Sequence, residues 1–213
     1  MCEIDDVQKI KDCLDIVEEW ISKQDHLVEA SKYISEFRKI LYLPDGALIS
    51  FSPYYWHYVP LPKLHPVDQS RVMVTQFLTD KLDPFSILSY FRYCFLIGEY
   101  RINYDYTPSE RFVIDLTNIH FGLLSKLNPI VIKKSEVLCT EGIGTKIKGI
   151  HILNAPPFID KLIFILKQAL REKVANRVHV HSSYEDLQKH IPREILPKDY
   201  GGDDQSVAKL SGE

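Results

Sequence analysis

The chain has 213 residues, 45% of them hydrophobic and 26% charged, with a formal net charge of −3. Those values suit one domain with a buried core, or one domain with a small extra piece. They provide no bulk basicity for nucleic acid, and the longest strongly apolar run, LIFIL at 162–166, is far short of the roughly 20 residues that span a membrane.

The opening segment, MCEIDDVQKIKDCLDIVEEW, is acidic and has no apolar core behind a basic start, so it does not read as a secretory signal. Val7, Ile10, Leu14, Val17 and Ile21 recur at spacings of three and four, which predicts a one-faced helix. A second helix is predicted over 29–41. From 43 to 66 the chain carries Pro44, Pro53, Pro60, Pro62 and Pro66 and reads as a long ordered loop. Its aromatic run of Tyr54, Tyr55, Trp56 and Tyr58 suits a stacking platform or a docking patch for a protein partner. The commoner role of aromatics in such a loop is to pack it onto its own domain.

From Arg71 strands and helices alternate. RVMVTQF (71–77), RFVIDLT (111–117), IKGIHILN (147–154) and VHVH (178–181) are predicted strands. Between them lie predicted helices: 85–102, apolar on most faces and hence buried; 127–142, closed by glycine; and 156–177, with proline at its start. A last helix is predicted over 183–191 with a serine cap. This alternation predicts an α/β fold with a small, mostly parallel sheet flanked by helices, preceded by short N-terminal helices.

The candidate chemistry is sparse. Gly142, Gly144, Lys146 and Gly149 follow a helix and precede a strand, the wrong order for a phosphate loop. There is no GxSxG elbow. Cys2, Cys13, Cys94 and Cys139 are too far apart for a redox pair or zinc knuckle, and read as reduced cytosolic thiols. His179 and His181 share one strand face but have no third ligand at a typical spacing, so structural roles are favoured over a metal. An enzyme built on Cys139 or the His179/His181 pair has the least support, and no cofactor is indicated.

Two features remain. Across 158–173, Phe158, Ile159, Leu162, Ile163, Phe164, Ile165, Leu166, Ala169 and Leu170 cover nearly the whole helix circumference. Lys173 and Arg177 stand four apart near its end. Strand alternation puts Lys146, Lys148, Ile150 and Ile152 on one face, running from a charged rim to an apolar floor. A cationic mouth over an oily interior suits an anionic amphiphile; ordinary solvated lysines give the same pattern.

The segment IKGIHILNAPPFIDKLIFILKQALREKVANRVHVHSSYEDLQKHIPREILPKDYGG (147–202) resembles the CRAL-TRIO lipid-binding domain family, in the branch of the α-tocopherol transfer protein, retinaldehyde-binding protein and clavesins. The likeness extends more weakly back to about Pro60. It implies a non-enzymatic, monomeric carrier of a hydrophobic small molecule or lipid, cytoplasmic with transient peripheral association with membranes. A shortened N-terminal helical segment would occupy 1–59 and the lipid-binding domain 60–213. The resemblance further implies phosphoinositide headgroup recognition by Lys146, Lys148, Lys173 and Arg177. It implies pocket-lining positions at Leu138, Cys139, Ile143 and Ile150, and a gate helix carrying Phe158, Leu162, Ile165 and Leu166. The ILPKDYGG segment would close the cavity as a clamp. Three departures stand out: no LLRFLR-like segment is found, Gln168 replaces a common proline and predicts a straighter gate helix, and the tail after Gly202 is short. The alternative reading is a non-carrier protein-interaction module that keeps the fold and docks its partner through 54–58.

Overall fold

The computed structural model describes residues 56–78, 87–105 and 107–211. The two predicted N-terminal helices, Tyr54, Tyr55, Cys2 and Cys13 lie outside them. The backbone builds a five-stranded sheet from β1 (Trp56–Pro60), β2 (Arg71–Phe77), β3 (Ser109–Asp115), β4 (Lys146–Leu153) and β5 (Val178–Val180), in sequential order. β1 runs antiparallel to β2, and every later pair is parallel. One row crosses the sheet as Tyr58, Thr75, Ile114, Ile152 and Val180.

The parallel strands need crossovers, and helices supply them. Helix α1 (Ile87–Tyr104) joins β2 to β3. The short α2 (Leu123–Lys126), then α3 (Pro129–Val137) and a π-turn (Leu138–Gly142), join β3 to β4. Helices α4 (Ile159–Ala169) and α5 (Glu172–Ala175) join β4 to β5. Asn128 starts α3, its side-chain oxygen accepting from Ile130 N at 3.0 Å with Pro129 in the first turn.

The sheet has two dressed faces. On one, Trp56, Tyr58, Met73, Ile152 and Leu162 form a core with α1 and α4. On the other, Val59, Leu61, Val72, Val74, Val113 and Leu153 pack against Leu187, Ile191, Ile195, Leu196 and Tyr200. Those last residues come from α6 (Tyr184–Gln188), two 3-10 turns (Arg193–Ile195 and Lys198–Tyr200) and the links between them; α7 (Val207–Ser211) follows. Ser183 caps α6 by accepting from Asp186 N.

Several expectations change. The aromatic stretch is not all loop: β1 lies inside it. Trp56 and Tyr58 are 3% and 8% exposed, so neither is available to stack a base or dock a partner. The helix expected over 156–177 is two. Leu170 and Arg171 are extended (ψ 150° and 146°), and the break lets the Arg171 backbone and side chain reach Glu136. Nor is α4 apolar all round. Asp160, Lys161, Lys167 and Gln168 form a solvent stripe, with Phe164 at 62% exposed among them. The C-terminal clamp packs behind the sheet, on the face away from α1 and α4, and so does not close a cavity on the helix side.

Candidate binding cavity

Between the sheet and helices α1, α3 and α4 lies a cavity of about 170 Å³, lined mainly by apolar groups. That is close to the roughly 150 Å³ that holds benzene in an engineered protein cavity. Tyr90, Phe91, Cys94 and Phe95 enter from α1, Phe112 and Ile114 from β3, Ile132 from α3, and Leu166 and Leu170 from α4 and its end. Tyr90 and Cys94 of α1 both pack on the sheet-face core and line this opening, and most of the described α1 side chains are half-buried.

Cys139, Ile143 and Ile150, three of the positions expected to line a pocket, do line it. Cys139 sits in the π-turn, which the i→i+5 bond from Ile143 N–H to Leu138 O closes at 2.9 Å. Leu138 is buried but is not among the lining side chains. In the expected gate helix, Leu162 is buried in the sheet-facing core, Leu166 lines the cavity, and Phe158 and Ile165 are half-buried.

The shared face of Lys146, Lys148, Ile150 and Ile152 does not survive. β3 and β4 slip register at Glu110/Arg111: Ile147 pairs with Glu110 but Gly149 with Arg111, leaving Lys148 as the extra residue. The slip turns both Ile147 and Ile150 into the cavity. Lys148 instead lies 3.7 Å from Asp68, which also holds Arg111 on the opposite face. Arg177 donates to the Ile147 carbonyl and so stays beside the start of β4. Lys146 and Lys173 are exposed, and neither makes an ion pair among the described residues.

Polar groups missing from the sequence reading gather at the cavity wall. Arg101 of α1 is 6% exposed. It donates to Glu110, to Asp105 at 3.4 Å, to Thr107 at 3.1 Å and to the Met73 sulfur at 3.1 Å. Arg71 also binds Asp105 and the Leu61 and Pro62 carbonyls. At the α4 end, Arg171 Nε meets Glu136 Oε1 at 2.6 Å and its Nη1 meets Glu141 at 2.5 Å. The Glu136 side chain is 1% exposed, so this pair fastens the end of α4 to α3. The available signal was Glu110 in SERFVID, an acid at the same strand parity as Phe112 and Ile114.

Burial pushes the Cys94 and Cys139 thiols well up, which leaves them protonated and poor nucleophiles. Behind the sheet, His151, His179, His181 and His190 stack with ring centroids 4.9–6.3 Å apart. His151 Nδ1 meets His181 Nε2 at 2.9 Å, and His181 Nδ1 meets Asp186 at 3.1 Å. The rings bond and stack on one another; among the described residues no group of three or more His, Cys, Asp or Glu is placed to hold a metal ion.

The family model of the CRAL/TRIO domain matches residues 63–202. The chain belongs to the CRAL/TRIO family. An alpha-tocopherol transfer protein-like protein of Mus musculus is 36% identical over 89 residues, 41% of this chain and 26% of that one. Clavesin-2 of Rattus norvegicus is 31% identical over 91 residues, 42% of this chain and 28% of that one. The chain thus spans about a quarter of the length of these curated relatives. The crystal structure of Sfh5 superposes with a TM-score of 0.55 at 12% identity, covering 80% of this chain and 61% of that one, a likeness of fold alone. Among the described residues of this CRAL/TRIO chain, no helix is long and apolar enough to cross a membrane.

Proposed function

We propose that the chain binds a hydrophobic small molecule or lipid in the cavity beneath α4 and exchanges it at membranes, without covalent chemistry. The observation that carries this reading is the cavity itself: apolar walls from α1, α3 and the sheet, roofed by a helix whose Leu166 faces in and whose Phe164 faces out. Burial of an apolar ligand there gains roughly 25 cal/mol per Å². The tocopherol-transfer name of its relatives points the same way. Phe121 and Ile130 are 57% and 66% exposed, with Lys161 over the Phe121 ring. Apolar tips fringed by lysine suit a peripheral contact with anionic lipid.

The proposal extends to headgroups. Lys146, Lys148, Lys173 and Arg177 recognise phosphatidylinositol bisphosphate, through charge-assisted bonds to a multiply charged phosphate cluster. Arg177 and Lys148, tethered at the start of β4, supply fixed charge, and exposed Lys146 and Lys173 supply reach.

The test is co-sedimentation with phosphatidylcholine vesicles, with and without phosphatidylinositol bisphosphate. The protein pellets with the second, and the Lys173→Ala/Arg177→Ala variant stays in the supernatant. Undiminished pelleting of that variant removes the headgroup assignment.

A further inference from the structure

Phe121, Ile130 and Phe164 are large apolar side chains left 57%, 66% and 62% exposed, and they border one surface. Phe121 meets Phe158 edge-on at 5.5 Å, and Lys161 lies over its ring at 4.9 Å. Phe164 follows Lys161 by three residues on α4, hence beside it on one helix face. Helix α3 touches α4 and presents Ile130 with Lys133 and Lys134, three and four residues on, all exposed. Lys126, Lys133, Lys134 and Lys161 make no ion pair among the described residues.

The chain itself supplies a segment of opposite charge. Near its start stand Asp5, Asp6, Asp12, Asp15, Glu18 and Glu19, against Lys9 and Lys11. The spacing that predicts a helix there puts Val7, Ile10, Leu14, Val17 and Ile21 in one stripe. Asp6 lies four residues before Ile10 and Glu18 four after Leu14, so carboxylates border the stripe. An apolar stripe edged by acids complements an apolar patch fringed by lysines.

The point of entry fits as well. Trp56, where the described fold begins, pairs with Phe77 at the end of β2. Asn118 donates to the Phe77 carbonyl at 2.7 Å, and Phe121 follows Asn118 by three residues. Residues 1–55 thus join the fold at the corner of the sheet that carries Phe121, and the stretch from 22 to 55 is long enough to reach across the patch.

We propose that the acidic segment 3–21 docks on this patch, its stripe against Phe121, Ile130 and Phe164 and its carboxylates on the lysines. Anionic lipid competes for the same lysines, so the segment sets how readily the chain engages a membrane. The competition rests on the membrane contact proposed above; the docking does not.

Carbodiimide coupling, which joins a carboxylate directly to an amine, tests the docking on the full chain in an equal mixture of isotope-labelled and unlabelled protein. Peptide mass spectrometry is expected to find acids of segment 3–21 joined to Lys126, Lys133, Lys134 or Lys161 within molecules of one isotope. Coupling only to lysines elsewhere, such as Lys63 or Lys198, or no coupling, overturns the docking. Mixed-isotope links as abundant as single-isotope ones make the occupant a second copy and overturn it too. Vesicles of phosphatidylcholine and phosphatidylserine test the competition. They reduce these links several-fold, and undiminished links on vesicle-bound protein overturn it. The Ile10→Ser/Leu14→Ser variant keeps the net charge and frees the patch. It binds the vesicles roughly fivefold more tightly than the unmodified chain, as for a patch covered about four-fifths of the time; equal or weaker binding overturns the shielding. Should that variant not fold, the links of the unmodified chain with and without vesicles decide both points. Absence of vesicle binding by the unmodified chain and the variant alike overturns the membrane contact and the competition, while the links still decide the docking.

Discussion

The Tyr200 hydroxyl donates to Asp115 Oδ2 at 3.2 Å, joining residues 85 apart in sequence across the back of the sheet. Asp115 also accepts from Thr117 N at 3.0 Å, Thr117 Oγ1 at 2.6 Å and Asn154 Nδ2 at 2.8 Å. The carboxylate is saturated, and Tyr200 is 1% exposed. Removing the hydroxyl leaves the rest of that network intact but loses one bond to a charged group. Tyr200→Phe is expected to cost about 1.5–3 kcal/mol in urea unfolding; a change below about 0.5 kcal/mol would show that packing alone holds the segment.

The same segment turns on its two glycines. Gly201 adopts φ 69°, and a Cβ on Gly202 would sit 1.9 Å from the Leu196 carbonyl oxygen. Backbone cannot yield as a side chain can. Gly202→Ala is expected to destabilise by more than about 2 kcal/mol, and by more than Gly201→Ala, whose new methyl meets only the Gln188 and Tyr184 side chains. Equal denaturation midpoints for the two variants would contradict this.

The histidine stack makes stability depend on pH. His151 is pushed down to about 3 by burial first and then by the neighbouring imidazoles. His179 and His190 are lowered for the same leading reason. Arg111 and Lys189 add positive charge around His190, opposed by Asp186. The folded chain therefore holds these rings neutral while the unfolded chain protonates them near 6.5. Their contribution to stability is full above about pH 6.5 and declines as pH falls from there towards about 3. The melting temperature drops on acidification, and His151→Gln flattens that slope; an unchanged slope would place the acid sensitivity elsewhere.

Arg171 binds a carboxylate that is almost wholly out of water. Its removal strands Glu136, at a cost of roughly 1–3 kcal/mol given that Arg171 itself is half-exposed. Because the pair joins α4 to α3, Arg171→Ala is expected to speed hydrogen exchange in α4 more than in the sheet, and to speed ligand loss. A uniform increase across the protein would mean that the pair supports the fold generally rather than the roof of the cavity.

Local patterns made much of this fold legible. RVMVTQF is strand β2 to the residue, and the alternation of strands and helices foretold the parallel sheet. Register and tertiary capture were hidden. Nothing in KIKGIHIL announces the slip at Lys148, because it arises from pairing with β3. The break after Ala169 falls in a run of good helix formers and is stabilised by Glu136, 35 positions before the Arg171 it holds. β1 hid among prolines because it is an edge strand, where proline is tolerated. Arg101 was missed because its importance lies in which neighbours it bonds, which spacing does not encode.

Native mass spectrometry of the purified protein, with extraction and identification of any bound lipid, tests the carrier reading most directly. The account predicts a stoichiometric adduct of a hydrophobic molecule, or its appearance after incubation with mixed-lipid vesicles. A clean ligand-free mass that stays unchanged after such incubation would contradict it.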